Sequence, residues 1–533
     1  MAILRMKNNM KKFVKENYIP LIIWLLCFLG SMYFVGKYGD ELLDSDQAAE
    51  LILASKLKGF DILCEDWYYS TSIRIFDIQL FYKIGLLFFP NNWMLAMTAG
   101  HTIMFILYSI CFYLLAHKIV GSKLSILFAA LLLCPFSKIY EFHVIESSAY
   151  LPYILLVLIA AIFSIEIINE CYRERCATKK VIICAIIYAL VSFVSGLAGV
   201  RIAMCFYVPF VFTAGIMFIY RVRTLPSDKI TPYVKNSIRA LASHVPVYLM
   251  YMVGYIINTK VLAQKYSFKD WTTVRWRHLS FVDLLESLDG YLTGFGYPFS
   301  DYFENLTDHN VNLFSLTGIL GAFGVCIVII YVVSTIRLFK RFGEISSLQQ
   351  IILVLQVVAA ATIGFFQTQV EGTPNEVYYL PMMPLAIMVI AIELDTERFV
   401  FKWSRKVLTA FFCLCIFLSS TYHAKLAVSD PVHTGSYLRD ISCRLNDMGY
   451  TKGVAWFWES DVITAWSNGK IEMWTVLDLE NLEPMQWGQI KSHVVLPEED
   501  YFMISKCGDE AAHYSEKYDK EIVYENGMWA ILY

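Results

Sequence analysis

Gly39-Asp40-Glu41-Leu42-Leu43-Asp44-Ser45-Asp46-Gln47 stands directly behind the first strongly apolar run of the chain. Asp40, Glu41, Asp44 and Asp46 place four carboxylates within seven residues, at the mouth of a segment built for hydrocarbon. Charge so close to a bilayer is costly unless it faces a wet cavity or takes part in chemistry there. The stretch is therefore read as the rim of an aqueous cavity at a membrane surface.

Composition agrees. The 533 residues are 57% hydrophobic, 16% aromatic and only 17% charged, with a mean hydropathy of +0.51, which describes a polytopic membrane protein. A net charge of -3 argues against a nucleic-acid partner. The 13 cysteines are scattered, many inside apolar runs such as Cys111, Cys134, Cys205 and Cys413, with no metal-ligand spacing. Cys443 and Cys507 fall in aqueous segments, where a bridge between them is open.

Upstream of the acidic stretch, Arg5, Lys7, Lys11, Lys12 and Lys15 precede an apolar run over 18–35 with no small-residue cleavage site behind it, so an uncleaved signal-anchor is expected. Downstream, apolar runs long enough to span a bilayer as helices lie near 94–116, 123–140, 149–168, 181–199, 202–220, 240–258, 312–336, 348–366, 377–394 and 406–425. With the first run this makes about eleven spans. Basic clusters fall on alternate sides of successive spans: the N-terminal tail, Arg173/Arg175/Lys179/Lys180, residues 221–239, Arg337/Lys340/Arg341 and Arg398/Lys402/Arg405/Lys406. The positive-inside rule then predicts a cytoplasmic N-terminus, with the 37–93 loop, the 259–311 loop and the C-terminal segment outside.

Residues 46–58 put Ala48, Leu51, Ile52 and Ser55 on one face, with Gly59 as C-cap, which predicts a helix along the membrane surface. A second amphipathic segment covers 72–89. From 428 the composition changes to short β-rich runs at 453–457, 471–477, 493–496, 501–504, 521–524 and 528–532, with helical candidates at 435–448, 460–466 and 510–518. Glu525-Asn526-Gly527 is a hairpin signal. The expected organisation is a helical membrane domain over 1–427 and a small extracytoplasmic α/β domain over 428–533. That domain carries no Gly-rich phosphate loop and no nucleophile motif.

Taken together, the spans, the acidic first outer loop (Asp40-Glu41, Asp44-Ser45-Asp46, then Trp67-Tyr68-Tyr69-Ser70-Thr71 and Ile75-Phe76-Asp77), the helix behind it and the C-terminal domain resemble the GT-C superfamily. Its members are polytopic glycosyltransferases that use polyprenyl-phosphate-linked sugars. The resemblance implies inverting sugar transfer at the outer face of a bacterial plasma membrane, to a glycan, lipid or protein acceptor. It also implies a loop-one Asp as general base: Asp46 first, Asp44 second, Asp40 third. A neighbouring acid would raise that base's pKa, or Asp44 and Asp46 together would hold a divalent cation, Mg or Mn, through oxygen ligands. Capping of the following helix is a second use for the same two residues.

The leaving lipid phosphate calls for cations on the same side. Arg201, at the Gly199-Val200-Arg201 turn, is one candidate, and Arg275, Arg277 and His278 are others. Glu41, Asp77, His143 and Glu146 are further substrate-binding candidates. The loop before Tyr378-Tyr379, which in relatives often bears an Arg-Tyr pair, lacks the Arg, and the Trp-Trp-Asp signature of oligosaccharyltransferases is absent, which weighs against protein N-glycosylation. A lipid or glycan transporter would place ionisable groups in mid-helix, whereas the charge here sits at span ends. A non-catalytic scaffold for polysaccharide assembly would tolerate loss of the acids.

Overall fold

The computed structural model describes residues 2–38, 43–69, 73–134, 137–173, 176–266, 280–294, 316–369, 376–396, 402–429, 436–498 and 500–533. Asp40, Glu41, Arg275, Arg277 and His278 lie outside the described residues.

The chain is a polytopic α-helical membrane protein. Among the described residues, nine helices are long and apolar enough to cross a bilayer: Lys11–Lys37, Trp93–Ala116, Leu151–Cys171, Thr178–Leu197, Ala203–Thr224, Ser227–Lys265, Ala322–Lys340, Ser347–Gln367 and Glu376–Asp395. Each falls on an expected span. The other two expected spans hold a shorter apolar helix, Ser122–Leu131, and helix Lys402–Ser429, which covers the whole of 406–425. The first stops just ahead of Pro135, which cannot continue an α-helix.

Two compact units divide the chain. The first comprises Met1–Ser31, Phe105–Ile257 and Thr272–Ala424. Charges within it gather at helix ends, where Glu393 meets Arg337 at 3.1 Å and Arg341 at 2.5 Å, and Glu166 bridges Lys118 and Lys180. Its tightest crossing is between Thr178–Leu197 and Ser227–Ile256. A Cβ on Gly196 would lie 2.2 Å from the Tyr251 carbonyl oxygen, and one on Gly254 would lie 2.2 Å from that of Phe193. Small residues let membrane helices approach this closely, and Ser192 adds a hydrogen bond to the Val247 carbonyl at 2.7 Å. Gly196→Leu should therefore destabilise the bundle by about 3 kcal/mol or more, because backbone rather than a flexible side chain is in the way. A detergent-solubilised Gly196→Leu protein with the wild-type melting temperature would refute the crossing.

The second unit joins Met32–Met104, Asn258–Trp271 and Lys425–Tyr533. Its sequence contains strands β1 (Trp67–Tyr68), β2 (Lys452–Trp456), β3 (Glu472–Val476), β4 (Gln489–Ile490), β5 (Phe502–Ser505), β6 (Glu521–Glu525) and β7 (Met528–Leu532). Five form one sheet in the order β3-β2-β5-β7-β6, parallel on either side of β2 and antiparallel around β7. Val454, Trp474, Val476, Met503 and Ile531 build its core with Ala511 and Tyr514 of helix Gly508–Tyr518. Asn526 and Gly527 take positive φ, 45° and 88°, and close the expected hairpin. The expected strand at 493–496 is instead a 3₁₀ turn, Lys491–Val494, preceded by β4, which pairs with β1. Cys443 and Cys507 are both free.

Helix Ser45–Lys56 also departs from expectation. It is buried at Ser45, Gln47, Ala48, Ala49 and Leu51 through Ala54, on nearly every face, because it packs against helix Ile78–Phe88 and helix Phe457–Trp466. It is a core element of the second unit and not a helix lying on a lipid surface.

Candidate functional site

Asp44 is the N-cap of helix Ser45–Lys56. Its Oδ1 accepts a 2.6 Å hydrogen bond from the Asp46 backbone N–H, while Gln47 Oε1 accepts from the Asp44 N–H at 3.4 Å, completing a capping box. The cap fixes where the first helical turn begins, and with it the direction of Asp46. Glu50 follows one turn later on the same face.

Arg74 meets this face. Its Nη2 donates to Glu50 Oε1 at 3.4 Å, and its Nη1 lies 2.8 Å from Asp77 Oδ2. Asp77 is buried and caps helix Ile78–Phe88 by accepting from the Ile78 N–H at 2.9 Å. Asp461, buried on helix Phe457–Trp466, feels the charge of Asp46 from the opposite side. Glu50, Asp77 and Asp46 therefore share the charge of one guanidinium, and Asp44 and Asp461 adjoin them through Asp46. All six residues belong to the second unit.

Burial dominates the electrostatics. It raises the Asp44 carboxyl to about 6, helped by the nearby Asp46 charge and opposed by the hydrogen bond from the Asp46 N–H. Burial also raises Asp46, with Arg74 pulling the other way, because protein atoms crowd its carboxyl even though the residue keeps an exposed edge. Glu50 is raised by burial against the pull of Arg74, and Asp461 is raised by burial and then by Asp46. The cluster thus holds its protons more tightly than free carboxylates do. Asp46 is its solvent-facing member.

The donor set does not form a preorganised metal cage. Among the described residues, no group of three or more His, Cys, Asp or Glu side chains is placed to hold a metal ion. Asp44 Oδ1 is engaged by a backbone N–H, and the Glu50 and Asp77 carboxylates face Arg74. The expected Asp44 and Asp46 cation site does not fit these commitments.

In the first unit, Arg201 follows Gly199, whose φ is +91°, and leads into the π-helical turn Ala203–Tyr207. Its guanidinium lies over three rings: Tyr150 at 5.0 Å, Tyr153 at 4.6 Å and Tyr378 at 4.8 Å. The Arg missing from the loop before Tyr378 is thus met by an Arg from another segment. His143, on a second π turn (Glu141–Glu146), packs edge-on against Tyr150. Burial, with the nearby Arg201 charge, lowers it to about 4, so the imidazole is neutral at neutral pH. Glu146 is half-buried on the same turn.

Of the predicted residues, Asp44, Asp46 and Asp77 share one cluster, and His143 and Arg201 share another. Asp77 is held as a cap and ion-pair partner. Glu50, Arg74 and Asp461 were missed. Glu50 had a signal, its i+4 spacing from Asp46 on one helical face.

The whole chain was compared with known proteins. It is similar to the oligosaccharyltransferase of Archaeoglobus fulgidus in its apo form, with a TM-score of 0.50 and 13% identity over 93% of this chain and 71% of that one. The same enzyme tethered to an acceptor peptide containing the NVT sequon gives 0.48 and 12%, and its complex with Zn and sulfate gives 0.46 and 12%. No family model and no curated protein sequence matches. The likeness is one of fold, to that of an oligosaccharyltransferase.

Proposed function

We propose that the chain is a membrane glycosyltransferase that moves a sugar from a polyprenyl-phosphate donor to an acceptor hydroxyl on the outer face, with Asp46 as general base. The observation that carries this reading is the placement of Asp46, the most exposed member of an acid cluster in which Asp77 and Asp461 are buried, with its carboxyl held above the ordinary range. A base of raised pKa accepts a hydroxyl proton more readily than a free aspartate would. The GT-C fold and the basic loops that favour a cytoplasmic N-terminus support the same placement.

In the proposed step the acceptor O–H gives its proton to Asp46 and the oxygen bonds to the anomeric carbon. The bond from that carbon to the phosphate oxygen breaks on the opposite face, inverting the centre, and polyprenyl phosphate leaves with the electron pair. Arg74 keeps Glu50 and Asp77 compensated and steadies the helix that presents Asp46. No step is routed through a metal. Within the first unit, Arg201 is a candidate phosphate-binding cation, its guanidinium oriented by tyrosine faces. The neutral His143 beside it adds no competing charge.

Purified protein in nanodiscs, given a radiolabelled polyprenyl-phosphate hexose and membrane glycan acceptors, should transfer label without any nucleotide sugar. Transfer from a nucleotide sugar alone would overturn the reading. Arg201→Ala should lower kcat/KM for the lipid donor about tenfold, the scale of one charge-assisted hydrogen bond. An unchanged donor dependence would remove Arg201 from the scheme.

A further inference from the structure

Beside helix Ser45–Lys56, within the second unit, lies a cavity of about 480 Å³. That volume falls in the range of small-molecule sites, about 300–1,000 Å³. Two indoles, Trp67 and Trp93, line it together with Ser55, Gln489, Asp461 and His493. Trp67 is anchored by the β1–β4 pairing, and the Trp93 backbone N–H donates to Asn468 Oδ1 at 2.7 Å, so neither wall is a loose surface ring.

Two of the lining side chains carry a buried polar atom with no hydrogen-bond partner among the described residues: Asp461 Oδ2 and His493 Nδ1. Asp461 is 3% exposed and His493 4%. The His493 ring cannot simply turn to satisfy itself, because it stacks on Trp474 at 4.2 Å and its Nε2 lies 3.3 Å from Glu472 Oε1. An orphaned buried polar atom costs about 1–3 kcal/mol. Two of them facing one void are unusual in a native structure unless something else supplies their partners.

We propose that this cavity is a saccharide-binding site that holds a sugar unit of the acceptor next to Asp46, a reading that rests on the transferase function above. A pyranose presents hydroxyls that both donate and accept, and C–H faces that pack on indole, which is the mixture this wall offers. A lipid tail would leave Asp461 and His493 unsatisfied and bury Glu472 beside hydrocarbon. Asp461, on helix Phe457–Trp466, lines the cavity, and that helix packs on helix Ser45–Lys56, whose first turn carries Asp46. Burial favours the protonated Asp461 carboxyl, whose O–H can donate to a sugar oxygen.

The test uses the full chain in nanodiscs without donor, titrated with glucose, galactose, mannose and N-acetylglucosamine, and read by tryptophan fluorescence and saturation-transfer NMR. At least one of these sugars should bind saturably. His493→Phe should weaken that binding about tenfold or more, the effect of one lost hydrogen bond to a buried partner. Ser55→Trp, at an exposed lining position, should block the cavity while the melting temperature stays at the wild-type value. No binding by any of the four sugars, or wild-type binding by a folded Ser55→Trp protein, would overturn the site. If a sugar binds but the wild-type protein transfers no label from a polyprenyl-phosphate donor, the transferase reading fails and the site stands. If Asp46→Asn is inactive and no sugar binds, the reading stands and the site fails.

Discussion

Asp46→Asn should lower turnover about 10²-fold or more, the usual scale for loss of a general base, while leaving the melting temperature close to wild type. Asparagine keeps the shape of the side chain at the first helical turn, and Asp44, not Asp46, supplies the cap. What the change removes is a proton acceptor. The pH dependence separates this from a packing defect. Asp46 must be ionised to act, and burial lifts its carboxyl above the ordinary 3.8, with Arg74 opposing. The rate should therefore fall, as pH drops, through a midpoint above the ordinary aspartate range, and Asp46→Asn should lose that acid limb. Asp44→Asn is the control, because Asn is also a good N-cap and Asp44 Oδ1 is already engaged. A purified Asp46→Asn enzyme that transfers sugar at the wild-type rate would end the proposed mechanism, and so would an acid limb that persists in it.

Much of the architecture was legible because bilayer spans announce themselves by length and hydropathy alone. Only the span expected at 123–140 was overestimated in length, its helix ending at Leu131 ahead of Pro135. The gathering of carboxylates around Asp44 and Asp46 was legible because charge beside hydrocarbon needs a reason. Helix Ser45–Lys56 was misread for a definite cause: its exposed-looking face is covered by helix Phe457–Trp466, and nothing in the local pattern records a cover supplied by a segment so far along the chain. Asp461 was invisible for the same reason. Arg201 could be singled out by position, but its seat on Tyr150, Tyr153 and Tyr378 joins three distant segments.

Arg74→Met should destabilise the protein by about 3 kcal/mol, the low end of the range for removing one partner of a buried ion pair, because Arg74 keeps 23% of its side chain exposed. Methionine retains the packing of the stem, so the loss reports the charge. Without the guanidinium, Glu50 and Asp77 face each other and Asp46 with no cation between them, and each carboxyl should take up a proton more readily. The Asp46 acid limb should then move to higher pH, since Arg74 is what holds that carboxyl down. Neutralising one acid should restore part of the balance, so Arg74→Met/Glu50→Gln should melt above Arg74→Met alone. The cycle of single and double variants measures that coupling directly. A strictly additive cycle, with the acid limb unmoved in Arg74→Met, would mean that Arg74 fills space here and does not tune the acids around it.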